Sequence, residues 1–143
     1  METISSFTGQ YEFLSMTYNS PIIVDGLSYT NAESAFYAQR IKDVNARAKL
    51  SRLSGNKARA KALQATPIDD WEETKDQVMK KILLIKFSDE KLKKKLLSTK
   101  GKRLNNVNSY RDEYWGIYMG KGKNKLGRIL EIVREELSNT VNE

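Results

Sequence analysis

The chain contains no cysteine and no histidine. The first absence excludes disulfides, zinc–thiolate sites, iron–sulfur clusters and thiol nucleophiles. The second removes the commonest metal ligand and the usual general base near neutral pH. Any catalysis must therefore run on Asp, Glu, Lys or Tyr. No apolar run approaches the length that spans a bilayer, and the N-terminus lacks a charged and then apolar signal pattern. The expectation is a soluble, cytoplasmic protein with no membrane partner. No repeat, low-complexity tract or convincing linker interrupts the 143 residues, which suit one domain.

What the chain has in excess is positive charge, with Lys+Arg 25 against Asp+Glu 18 and a formal net charge of +7. That balance favours anionic partners, phosphorylated metabolites or nucleic acid, without choosing between them. Much of the excess lies in Lys91 to Lys95 and Lys100 to Arg103, runs that read as solvated surface. Hydrophobic residues make up 39%, periodic enough for a folded domain rather than a disordered one.

Pro21-Ile22-Ile23-Val24 reads as a strand, Asp25-Gly26 as a turn and Leu27-Ser28-Tyr29 as the returning arm. A helix is expected from Thr30, with Glu33 three residues on completing a Thr-x-x-Glu capping box. Ala32, Ala35, Phe36 and Gln39 share one side of it. Two short helices follow, about Asn45 to Leu53 and about Asn56 to Gln64. After Pro67, Asp70 and Glu73 repeat the capping pattern and open a helix to about Phe87. Its apolar stripe is Trp71, Val78, Met79, Ile82 and Leu83, with Lys75 and Lys86 close beside it. A basic helix spans about Asp89 to Leu97. The last helix starts near Asn124 and buries Leu126, Ile129, Leu130, Val133 and Leu137. The fold class is α+β, predominantly helical, with a small N-terminal β unit.

The densest chemistry lies in Asp112-Glu113-Tyr114-Trp115-Gly116 and the glycine- and lysine-rich run Gly120 to Gly127. Aromatic faces suit a base or a sugar, and glycines let backbone N–H groups approach a ligand at a helix start. The spacing matches neither a P-loop nor a Rossmann turn. A weaker expectation survives, that backbone amides and lysines there hold phosphate. Equally, Asp112 is open to a salt bridge and Asn124 is placed to cap the last helix. Glu33 brings Phe36, Tyr37 and Arg40 round on its own helix, but the capping box alone accounts for it. Trp71 is by position more often a core anchor than a stacking platform. Lys75 and Lys86 must snorkel, pair or line a cavity.

Taken in order, these residues resemble the NADAR (YbiA-like) family of riboflavin-biosynthesis-intermediate N-glycosidases. The similarity runs through Phe13-Leu14-Ser15, Asp25-Gly26-x-x-Tyr29-x-x-x-Glu33 and Tyr37-Ala38-Gln39. It continues through Trp71-x-x-x-Lys75-x-x-x-Met79, Lys86-Phe87 and Leu96-Leu97-x-Thr99. It closes with Asp112-x-x-Trp115-Gly116, Gly122-x-Asn124-x-Leu126-Gly127 and Arg134. The resemblance covers about residues 11–137 and implies a single NADAR-like domain over 1–143. It also implies hydrolysis of a ribosyl–base bond in a phosphorylated ribosylamino-pyrimidine or in ADP-ribosylated guanine, with no cofactor. Glu33, Asp112 and Trp71 match the family's catalytic positions. Tyr37, Arg40, Lys75, Lys86, Trp115, Gly116, Gly122, Lys123 and Asn124 are the implied substrate-binding residues. A phosphorylated ribosyl or ADP-ribosyl ligand is the implied partner, and ADP-ribosylated nucleic acid a further one. The chain departs from the pattern at Met16, Ser34 and Arg40, where the family usually has Asn, His and Lys. It also has Asn106 or Val107 in place of an acid. In the ADP-ribose-removing branch that lysine is thought to form a Schiff base, which an arginine cannot do. Arg40 and the missing acid favour the alternative, a family member that binds such a ligand or a protein partner without turnover.

Overall fold

The computed structural model describes residues 2–141. Its elements run β1 (Thr3–Ile4), a 3-10 helix (Gly9–Leu14), β2 (Ile22–Val24), β3 (Leu27–Tyr29), α1 (Ala32–Ala38), α2 (Val44–Leu50) and α3 (Gly55–Gln64). They continue with α4 (Trp71–Lys86), α5 (Glu90–Leu97), β4 (Arg103–Leu104) and α6 (Lys125–Val141). The described residues fall into two compact units. One is Met16–Lys86, and the other combines residues 2–15 with 87–141.

In the unit Met16–Lys86, β2 and β3 form an antiparallel hairpin with Ile22 opposite Tyr29 and Val24 opposite Leu27. The turn residues Asp25 and Gly26 both take left-handed backbone, φ 51° and 83°. A two-residue turn of that hand matches strand twist, which is why Asp-Gly signalled it in the sequence. Ile22, Val24 and Tyr29 face the core while Ile23 and Ser28 face solvent. Helix α1 packs against both α3 and α4. Its buried side is Ala32, Ala35, Phe36 and Ala38, and α3 turns Ala58 and Ala62 inward. These small side chains, one turn apart, allow close approach of the helices. Helix α4 buries Trp71, Met79, Ile82 and Leu83, as its periodicity predicted.

One expectation fails here. Asn31, not Thr30, is the N-cap of α1, and its side chain accepts a hydrogen bond from Ser34 N–H at 2.9 Å. Glu33 therefore occupies the second helical position, one residue short of the capping-box position. Both Thr30 and Asn31 are good caps, so local propensity could not separate them.

In the other unit, Phe13 and Phe87 meet edge to face at 6.5 Å, and Leu92 and Leu96 of α5 are buried. Helix α5 starts one residue after its cap Asp89, whose carboxylate accepts from Leu92 N–H. Strands β1 and β4 pair in parallel, Ile4 opposite Leu104. Two-residue strands carry no periodicity, so the sequence offered no sign of this pairing. Helix α6 buries Leu126, Ile129, Leu130 and Val133, with Leu137 only half-buried. Among the described residues no helix is long and apolar enough to cross a membrane. None of their acidic side chains gather into a group that could hold a metal ion.

Candidate functional site

Glu33 is the most unusual acid in the unit Met16–Lys86. Its backbone N–H donates to the Met16 carbonyl at 3.0 Å, which ties the preceding loop to the start of α1. Its carboxylate turns inward, and Oε1 is buried with no hydrogen-bond partner among the described residues. The first residue of α3 makes room for it. A Cβ on Gly55 would stand 2.7 Å from Asn31 Nδ2 and 3.0 Å from Glu33 Oε1. Burial pushes the Glu33 carboxyl above its ordinary range, against a smaller downward pull from the Arg59 guanidinium. A buried carboxylate without a partner is costly to a fold, and such groups gather at functional sites.

Aromatic rings follow it on α1 and at the start of α4. Trp71 packs on Phe36 at 5.2 Å between centroids, and Phe36 meets Tyr37 edge to face at 5.1 Å. Trp71 is only 6% exposed, so it anchors the core and braces α1. Tyr37 is the ring of the three that reaches the surface, with Arg59 5.8 Å from its centroid. Sequence reasoning missed Arg59 and Gly55. They are one turn apart on α3, and nothing local connects that helix to Glu33.

Arg40 is engaged elsewhere. Its Nη1 donates to the carbonyls of Ala62 and Ala65 at 2.6 and 2.8 Å, closing the C-terminal end of α3. Lys75 pairs with Glu72 at 2.6 Å. Lys86 is 2% exposed at the end of α4, with Nζ 5.6 Å from the Tyr18 ring centroid, and burial lowers its pKa to about 7.

Asp112, Trp115, Gly116, Gly122, Lys123 and Asn124 belong to the other unit, on the segment that leads into α6. Asp112 Oδ1 accepts from the N–H groups of Tyr114 and Trp115 at 3.1 and 2.9 Å, so it shapes that turn. Tyr114 and Trp115 meet edge to face at 4.8 Å, and Lys123 Nζ lies 5.4 Å from the Tyr114 centroid. Four of the backbone amides expected to cradle a phosphate are already taken. The N–H groups of Lys123, Asn124, Lys125 and Leu126 donate to the carbonyls of Glu113, Gly116, Tyr114 and Trp115. Amides satisfied in this way have nothing left to offer a ligand. Asn124 does not cap α6 through its side chain either. It takes left-handed backbone, φ 51°, and its amide group reaches back to Asn106 N–H and the Leu104 carbonyl.

A family model, the NADAR domain, matches residues 2–138. The chain belongs to the NADAR family. Its relatives include N-glycosidase YbiA of Escherichia coli (strain K12), 37% identical over 82% of this chain and 76% of that protein. Another is riboflavin biosynthesis protein VVA0006 of Vibrio vulnificus (strain YJ016), 35% identical over 87% of this chain and 35% of that one. The NMR structure of the E. coli protein YbiA aligns at a TM-score of 0.87 with 34% identity. That alignment covers 100% of this chain and 90% of the other. The fold is thus the mostly helical α+β arrangement that the pattern of elements along the chain pointed to.

Two consequences of this NADAR chain's particular residues can be measured. Arg40→Ala should lower stability by about 1.5–3 kcal/mol in urea unfolding, because the carbonyls of Ala62 and Ala65 lose a charged donor. Arg40→Lys should recover part of that loss. Lys86 sets a pH dependence. Its folded pKa of about 7 lies below the ordinary lysine value, so between the two the unfolded chain binds more protons. Stability should therefore rise from about pH 7 towards 10, and Lys86→Met should flatten the rise. The variant's advantage should be greatest at and below neutral pH.

Proposed function

We propose that this chain is an N-glycosidase that hydrolyses a ribosyl–base bond, with Glu33 as the group that acts on the reacting centre. The observation that carries the reading is the buried, unpartnered Oε1 of Glu33, set against Gly55 and within the influence of the Arg59 charge. Cleaving C1′–N leaves positive charge on the ribose, which a carboxylate stabilises. A desolvated carboxylate is also a stronger base than an ordinary one. Glu33 then takes a proton from water as the water oxygen bonds to C1′. The C1′–N bond breaks with its electron pair leaving on the base, and the proton passes to that nitrogen.

Arg59 supplies a cation for a phosphate on the sugar, and Tyr37 offers a half-buried ring. Trp71 and Asp112 act as positioning residues, the first behind Phe36 and the second within its own turn. The relatives named N-glycosidase and riboflavin biosynthesis protein support a phosphorylated ribosylamino-pyrimidine as substrate. ADP-ribosylated guanine is the second candidate. Arg40 weighs against a lysine-dependent route to it, since a guanidinium closing α3 forms no Schiff base.

The same arginine is the observation that favours a member which binds without turnover. Incubation with each substrate, followed by mass spectrometry for free base, separates the readings. Base release from the ribosylamino-pyrimidine phosphate is the expected result. Saturable binding of either compound with no release would replace the enzyme reading by the binding one.

A further inference from the structure

Residues 91–103 contain seven lysines and arginines and no acid. The other 18 basic residues of the chain equal its 18 acidic ones, so this segment accounts for the whole formal net charge of +7. Two of the seven are neutralised, Lys102 by Glu2 at 3.4 Å and Arg103 by Glu131 at 3.3 Å. The remaining five, Lys91, Lys93, Lys94, Lys95 and Lys100, have no acidic partner among the described residues. Lys91, Lys94 and Lys95 are exposed at i, i+3 and i+4 on α5, and exposed Lys100 follows in the turn after it.

Solvation alone accounts poorly for this arrangement. Like charges at those spacings repel, and Lys91 sits in the first turn, where the helix macrodipole opposes a cation. A fold gains nothing from setting five unpaired lysines on one short helix and the turn after it. An extended polyanion gains a continuous electrostatic surface. The eight residues of α5 span about 12 Å, longer than one phosphate group and suited to several in a row.

The apolar side of the helix argues against a membrane. Leu92 and Leu96 are buried, and none of the large exposed hydrophobic residues lies between 87 and 104. A lipid surface would find charge there but nothing to insert.

We infer that the surface of α5 and the turn after it is a docking site for the phosphate backbone of a nucleic acid. It is independent of the glycosidase reading, because it requires binding and no chemistry. Fluorescence anisotropy with a labelled oligonucleotide, single-stranded and duplex, tests it between about 50 and 200 mM salt. The parent should bind and weaken steeply with salt. The triple variant Lys91→Glu/Lys94→Glu/Lys100→Glu should lose at least about tenfold in affinity and reduce the log–log salt slope by about 3. The milder Lys91→Gln/Lys94→Gln/Lys100→Gln should move both in the same direction.

The control Lys49→Glu/Lys57→Glu/Lys61→Glu makes the same change in net charge at exposed positions of α2 and α3, and it should keep the parent's site-specific slope. Equal losses in patch and control variants would reduce the effect to net charge and overturn the assignment. So would undiminished binding by the patch variants, or binding to phosphatidylserine vesicles without binding to the oligonucleotides.

Discussion

Glu33→Gln should reduce release of the base by about 10²–10⁴-fold while the protein becomes no less stable. The two readouts answer different questions. Glutamine keeps the shape of the side chain and removes the charge, so the packing against Asn31 and Gly55 survives. Burial raises the carboxyl's pKa in the folded protein, so the folded chain holds its proton to higher pH than the unfolded chain does. Ionised Glu33 therefore opposes folding, and its neutral form does not. Below the ordinary glutamate value, parent and variant should have equal stability from this source. As pH rises through the raised folded value the parent should fall behind, and the gap should persist at neutral pH. Urea midpoints at acidic and neutral pH measure it. Turnover retained in the variant would remove Glu33 from the reaction, and a large drop in stability would return it to a structural role.

The largest effect on stability is expected from Gly127→Ala. Within a helix, alanine is ordinarily preferred over glycine by about 1 kcal/mol. Here the sign should reverse. A Cβ at Gly127 would overlap the backbone carbonyl of Leu104 and stand 2.7 Å from Asn124 Oδ1. Neither neighbour can withdraw easily. Leu104 lies in β4, and its carbonyl also accepts from Asn124 Nδ2 and Arg128 Nη2 at 3.1 and 3.0 Å. The substitution should therefore separate α6 from β4 and cost about 3 kcal/mol. Gly101→Ala is the comparison. Gly101 has φ of 84° with nothing within 4 Å of an added Cβ, so only backbone strain of about 1–2 kcal/mol applies. Similar unfolding midpoints for the two variants would show that the close approach to Leu104 can relax without loss.

Much of this architecture could be read from residue patterns, for reasons that vary by element. The hairpin was legible because Asp25-Gly26 supplies two left-handed residues between alternating apolar positions. Helices α4, α5 and α6 were legible because their buried residues recur at helical spacing. The environment of Glu33 was not. Its defining neighbours, Gly55 and Arg59, come from another helix, and local rules offered a satisfactory but incorrect account in the capping box. The phosphate cradle shows the opposite error. Glycines and lysines before a helix suggested available amides, whereas carbonyls from residues 113–116 already accept from four of them. A sequence shows which groups can donate, but not which have been taken.

Residues 105–124 hold almost no regular secondary structure, yet amide and carboxylate side chains secure them. Asn108 Nδ2 and Oδ1 bridge the carbonyl and N–H of Asp112, Asp112 holds the Tyr114–Trp115 turn, and Asn124 tethers Asn106. A segment organised by such pins can change course through exchange of one polar residue, without disturbing any hydrophobic layer. Divergence within the family can therefore redraw this aromatic, lysine-bearing segment one polar residue at a time.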